Sequence, residues 1–432
     1  MTNYIAGKEG NGNLKGMFRS FRYKNYRLYF AGQSISLIGT WIQRIATPWL
    51  VYHLTNSPFL LGLVGFAGQI PTFVIAPFAG VLTDRWNKYR IMVVTQVAAM
   101  IQALILALLY SGGNIQVWQI VSLNIFIGII NAFDVPARQS YVVEMIENKE
   151  DIGNAIALNS SMVNGARLLG PSIAGVLIAL TGEGVCFLIN ALSYIFVIAS
   201  LLMMKVRHVK KTRETDSHVL PELREGFKYA FGFPPIRHTI FLLALVSLMG
   251  MSYTVLMPVF AKEVLHGGSH TFGFLMGASG LGALCGALYL ASRKSVAGIS
   301  GLIPVAAAVF GLGLVIFSFS RIQPLSMALM VIAGLGMMLQ MASSNTLLQT
   351  VVEDNKRGRV MSFYTMAFMG TAPFGSFMAG SLAKLLGTPH TILIGGLCCI
   401  AGAVIYSTKL PEISRHVKPI YVRMGIMTEE NS

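Results

Sequence analysis

GPSIAGVLIALTG, residues 170–182, sets a Gly-Pro pair inside an otherwise apolar run, although proline lacks a backbone donor and breaks most helices. GSFMAGSLAKLLG, residues 375–387, matches it at Gly170/Gly375, Ala174/Ala379, Gly175/Gly380, Leu177/Leu382, Leu180/Leu385 and Gly182/Gly387. From 170 to 375 is 205 residues, nearly half of the 432-residue chain, so the pair predicts an internal duplication.

The residues around the pair place both copies in a membrane. The chain is 54% hydrophobic and 12% charged, against about 25% charged in a soluble domain. Apolar runs of about 20 residues, the length that crosses roughly 30 Å of hydrocarbon, centre near Ile38, Ile70, Met100, Phe126, Gly170, Tyr194, Gly250, Gly280, Val309, Gly336, Gly370 and Cys399. The long polar stretch at 205–236 divides these twelve into six plus six. The expected organisation is a cytoplasmic N-terminal segment at 1–26, a bundle at 27–204, a cytoplasmic linker at 205–236, a second bundle at 237–409 and a cytoplasmic tail at 410–432. The fold class is therefore an all-α membrane protein: twelve transmembrane helices in two pseudo-symmetric six-helix bundles. Gly170 and Gly375 then lie in the fifth span of each half, as parallel repeats about an axis along the membrane normal require.

Small residues let helix backbones approach closely in lipid, and a buried proline is tolerated where neighbours satisfy the carbonyl it frees. Gly170, Pro171, Ala174 and Gly175 read either as a bend and contact surface between moving helices or as simple close packing.

The net charge of +15 would suggest nucleic acid in a soluble protein, but its distribution points elsewhere. Of 33 Lys and Arg, 28 fall on one side when connections alternate across the membrane; Lys262, Arg321 and Lys384 fall on the other, and Arg44 and Arg167 lie within spans. That bias predicts both termini in the cytoplasm of a bacterial inner membrane, with anionic headgroups and no nucleic acid as partner. Cys186, Cys285, Cys398 and Cys399 lie in apolar spans and form neither a disulfide framework nor a metal spacing. The basic N-terminus shows no cleavage pattern, so the first span is expected to act as its own insertion signal.

Polar residues inside spans mark the candidate site. In span one, Gln33, Ser36, Thr40, Gln43, Arg44 and Thr47 project within about 100° of one another at 3.6 residues per turn. Span four carries Asn124, Asn131 and Asp134, span five Ser160, Asn164 and Arg167, span seven Ser247 and Thr254, and span ten Gln340, Ser343 and Ser344. Polar faces at membrane depth line a cavity or pair with one another. Burying a cation there costs roughly 3 kcal/mol or more, so Arg44 and Arg167 are either cargo-binding or structural clamps. As binding groups, guanidiniums without a mid-span carboxylate favour an anionic, oxygen-rich small molecule. The expected binding set is Arg44, Arg167, Gln33, Thr40, Gln43, Asn131, Asn164, Gln340 and Ser344.

GVLTDRWNKYR, residues 80–90, resembles the cytoplasmic signature G-x-x-x-D-R-x-G-R-R/K of the major facilitator superfamily through Gly80, Asp84 and Arg85, with Asn87 in place of Gly and Lys88 in place of Arg. GARLLGPSIAG, residues 165–175, resembles the superfamily's exporter signature, and DVPARQSYVVEM at 134–145 resembles the branch holding the enterobactin exporter and macrolide-efflux proteins. The resemblance implies export by alternating access, with protons as the coupling ion. It also implies a gating latch built from Gly80, Asp84, Arg85 and Lys88, tied to Asp134 on span four and to the start of span eleven near Arg359, with Gly170 and Pro171 as a hinge. Asp134 is the best proton carrier. A siderophore-like or other anionic metabolite is favoured as cargo; macrolides, other drugs and lysophospholipids are the alternatives, and a receptor of the same fold remains open. No enzyme motif, nucleotide-phosphate loop, metal set or cofactor motif appears, and a monomer is expected.

Overall fold

The computed structural model describes residues 18–204, 229–293 and 295–427, with the side chains of Asp84 and Arg85 among those outside it. Most of the expected N-terminal segment and linker, and the last residues of the tail, therefore lie outside the described residues. Twelve long helices fill the rest: α1 Lys24–Thr55, α2 Pro58–Arg85, α3 Lys88–Ser111, α4 Val117–Glu144, α5 Ile152–Thr181 and α6 Glu183–Leu202, then α7 Pro234–Val264, α8 Ser269–Ser292, α9 Ile299–Phe319 and α10 Gln323–Val351. In α11, Asp354–Thr365 and Ala372–Leu386 flank a π-helical stretch, Met366–Gly370, and α12 is Thr388–Arg423.

Short turns make successive helices antiparallel. Ser57 caps α2 through its hydroxyl, with Pro58 in the first turn, and Asn87 caps α3. Single glycines at positive φ, Gly182 at 81° and Gly387 at 84°, reverse the chain between α5 and α6 and between α11 and α12. These two are the last matched pair of the duplicated stretch, and both need the left-handed freedom of glycine.

Ten of the twelve helices are long and apolar enough to cross a membrane. The two that fall short are instructive: α1 carries the polar stripe, and α11 is interrupted by its π-helical stretch. The halves pair their helices alike. In the first, α1 packs on α5 and α6, α2 on α4, and α3 on α4 and α6; in the second, α7 packs on α11 and α12, α8 on α10, and α9 on α10 and α12. The expected tail at 410–432 departs from a separate segment, because α12 continues through Arg423 and buries Ile413, Val417 and Tyr421.

Between bundles, α5 meets α8 and α11 meets α2. A Cβ on Gly175 would stand 2.9 Å from Gly273 Cα, and one on Gly380 2.8 Å from Gly62 Cα. Each of these glycines allows a backbone-to-backbone approach that any side chain would block. One turn earlier, Gly170 lies against Ile38 and Trp41 of α1, and Gly375 against Leu248 of α7. Every matched glycine of the opening stretch thus has the same job in both halves.

Candidate functional site

Pro171 offers no N–H to the carbonyl of Arg167, and that oxygen turns to the bundle interface, 3.1 Å from where a Cβ on Gly280 would stand. The guanidinium of Arg167 is half-buried and meets Met337 Sδ of α10 at 3.8 Å, with Tyr253 of α7 in electrostatic range. Arg44 is exposed although it stands deep in α1. Its guanidinium lies 5.0 Å from the Trp41 ring centroid and in electrostatic range of Arg138 and Arg167. A charge left uncovered at that depth needs water or a ligand beside it, the requirement that a central opening between the bundles would meet.

The clamp reading of the two arginines expects oxygen acceptors around them. Among the described residues, their contacts are instead an aromatic face and a thioether sulfur, both weak substitutes for an anion.

The other candidates divide. Thr40, Asn131 and Asn164 are half-buried; Thr40 Oγ1 lies 3.4 Å from the Tyr194 hydroxyl, and Asn164 donates to the Ser160 carbonyl at 2.9 Å. Gln33, Gln43, Gln340 and Ser344 are enclosed in the helix packing, none more than 8% exposed. Gln43 is the centre of a polar chain: its amide donates to Gln102 of α3 at 2.9 Å, and Asn190 of α6 donates to its carbonyl at 2.7 Å. Much of the α1 stripe is thus a seam within its own bundle: Gln33, Ser36, Gln43 and Thr47 are buried, and Gln43 faces α3 and α6. Gln340 reaches only Ser344 on its own helix, at 3.4 Å.

Asp134 accepts from Gln96 at 2.7 Å and Thr95 at 3.0 Å, both on α3, and pairs with Arg138 Nε at 3.6 Å. Its described partners lie inside the bundle, away from the α2–α3 turn. That turn is tied to α4 by Lys88, which donates to Glu144 at 2.7 Å. Gly80 has open space where a Cβ would go, so close contact does not explain a glycine there. Arg138 counts as a connection charge in the sequence; the helix in fact runs on to Glu144 and carries it inside. Its i, i+4 spacing from Asp134 is the signal that identifies it as an intrahelical pair.

The described hydrogen bonds that join the bundles lie at mid-depth or toward the end holding the α1–α2 turn, hereafter the far side. Tyr52 donates to Glu263, Lys262 to Asn56 at 3.0 Å, Gln69 to Ser376 at 3.2 Å and Ser269 to the Gly175 carbonyl at 3.1 Å. Trp49 stacks on Phe272 with centroids 6.0 Å apart. These contacts hold the two bundles together on the far side.

Comparison with known proteins agrees with this architecture. The staphyloferrin A transporter of Staphylococcus aureus is 26% identical over 88% of this chain and 95% of its own, and macrolide efflux protein A of Streptococcus pyogenes is 22% identical over 89% and 96%. A bacterial homolog of the lysosomal transporter Spinster, solved in an inward-facing and occupied conformation, superposes with a TM-score of 0.69 at 14% identity, over 91% of this chain and 97% of that one. The family model described as a transmembrane secretion effector matches residues 15–422. The chain belongs to that family of multi-pass membrane transporters, within the drug and siderophore efflux branch of the major facilitator superfamily.

Proposed function

We propose that the protein exports an anionic, oxygen-rich small molecule from the bacterial cytoplasm, its two bundles rocking about a central site in which Arg44 and Arg167 receive the cargo. The observation that carries this reading is the pair of deep guanidiniums whose described contacts are a ring and a sulfur. Replacing those contacts with carboxylate, phosphate or catecholate oxygens would form charge-assisted hydrogen bonds of about 1.5–3 kcal/mol each. The positive-inside bias supports both termini lying in the cytoplasm of the inner membrane, and on that orientation the far-side closure corresponds to an inward-facing state. A siderophore-like cargo fits the arginines and the similarity to a staphyloferrin A transporter. The hydrophobic-drug alternative draws on the macrolide-efflux relative and on the phenylalanines where α2 meets α11. Proton coupling would use Asp134, the carboxylate at membrane depth in α4, paired with Arg138. Neither reading needs a cofactor, and one chain holds all the named groups.

Flux into proteoliposomes, measured with anionic siderophores and with cationic drugs, with and without a pH gradient, tests this. Arg167→Ala should remove transport of the anions by 100-fold or more, at the roughly 3 kcal/mol that an unpaired buried charge partner is worth, with insertion into the membrane unchanged. Undiminished anion flux in that variant excludes Arg167 from the site, and flux of drugs alone favours the second reading.

A further inference from the structure

Arg138 is a third deep guanidinium, and unlike Arg44 and Arg167 it has a carboxylate beside it. Among the described residues, Asp134 is the one carboxylate paired with any of the three, 3.6 Å from Arg138 Nε, while Arg44 meets the Trp41 ring and Arg167 the Met337 sulfur. The Gln96 amide donates to Asp134 at 2.7 Å and Arg138 Nε stands on its other oxygen, so the carboxylate and Arg138 form one ion pair inside the bundle. The other titratable groups in range, Tyr29, Tyr194 and Tyr253, are neutral phenols. Three guanidiniums against one carboxylate leave two positive charges over in the empty site.

We propose that the membrane potential drives this carrier by acting on those two surplus charges of Arg44, Arg138 and Arg167: the cargo carries at least two negative charges, and the empty site returns inward as a net cation. This rests on the export reading above. When the far side is shut, the site is at the potential of the cytoplasm; when the other side is shut, it is at the external potential. Rocking therefore moves the site across the field without moving it far through space. A loaded site, neutralised by a dianion, crosses with little electrical work. After release, a cytoplasm-negative potential pulls the empty site back to the state seen here. A charge that senses the full field shifts the balance by about 50-fold per 100 mV. Arg138, through its contact with Asp134, is a positioning residue for this charge balance.

The test needs no cargo. Spectroscopic labels at Asn114→Cys and Ile322→Cys, exposed far-side turns of the two bundles, report closure in proteoliposomes, with the four native cysteines replaced by alanine. Potassium-diffusion potentials set the voltage. Closure should deepen as the termini side is made negative, with an effective charge of about two. Arg44→Gln and Arg167→Gln should each remove about one, Arg44→Lys should keep it, and Asp134→Asn should add about one. A response absent from the unmodified carrier, or equal in Arg44→Gln and Arg44→Lys, overturns the proposal. Because anion flux is measured separately, loss of the voltage response leaves the export reading standing, and loss of anion flux with the response intact sinks only that reading.

Discussion

The two seams between the bundles share a frame and differ in chemistry. Where α5 crosses α8, Gly175 meets Gly273, and about two turns earlier α5 brings Arg167 to Met337 of α10. Where α11 crosses α2, Gly380 meets Gly62, but the residues below are Phe66 and Phe73 against Phe374, with ring centroids 6.0 and 6.2 Å apart. The position 205 residues after Arg167 is Ala372. Duplication thus preserved the backbone crossing while charge stayed in one half. The second half diverges in its backbone too: α7 and α11 contain π-helical stretches at Val246–Gly250 and Met366–Gly370, joined by Ser247 donating to the Phe368 carbonyl at 2.5 Å. Such bulges cluster at functional positions, so the second half contributes shape where the first contributes charge.

The strongest way to break this equivalence is to thicken each crossing. Gly175→Ala and Gly380→Ala both place a methyl within 3 Å of a facing glycine backbone, and backbone cannot yield as a side-chain end can. Overpacking of that kind costs up to about 3 kcal/mol, enough to shift closure by roughly 100-fold. Thiol labelling at the far side should rise in both variants, and transport should fall for every cargo. If only Gly380→Ala acts, the seams are not equivalent hinges.

A second, smaller effect separates seam from bundle interior. Gln43→Ala leaves Gln102 and Asn190 without their buried partner, costing about 1–3 kcal/mol of stability. Thermal unfolding in detergent should register the loss. An unchanged unfolding temperature, paired with loss of transport, would return Gln43 to the cargo site.

These two residues also show what the sequence could and could not reveal. The duplicated glycines were legible, because close approach and positive φ admit few alternatives, and each matched pair performs one task twice. The α1 stripe was legible as polar but not as divided: periodicity gives a face, whereas the choice between core seam and opening depends on which neighbours, Gln102 and Asn190 or water, stand opposite. Arg138 was missed for a related reason. A charge near the end of a long helix reads as a connection charge until the helix is seen to continue past it and Asp134 is found one turn away.

Rings on the α2–α11 seam provide a third test, at about 1 kcal/mol. Phe374→Leu removes edge contacts with Phe66 and Phe73, each aromatic pair being worth about 0.5–1.5 kcal/mol beyond area. If the seam is structural, flux should drop a few-fold and equally for anionic and hydrophobic cargo. A loss confined to macrolides would make the ring a binding surface.

The smallest effect concerns the turns at the termini side. Lys88 bridges from the α2–α3 turn to Glu144 of α4, whose carboxylate is 51% exposed, whereas its counterpart turn in the second half closes on itself, Arg293 donating to the Ala297 carbonyl at 2.7 Å. Only the first arrangement joins separate helices, yet water screens it, and such pairs contribute about 0.2–1 kcal/mol. Lys88→Ala should therefore change turnover by less than about 5-fold, and the double variant with Glu144→Ala should be no worse than either single one. A larger loss in Lys88→Ala alone would mean that the lysine acts on something besides Glu144 as the carrier rocks. The sequence resemblance offers Asp84 as that partner, and if so Asp84→Asn in the Lys88→Ala background would have no further effect.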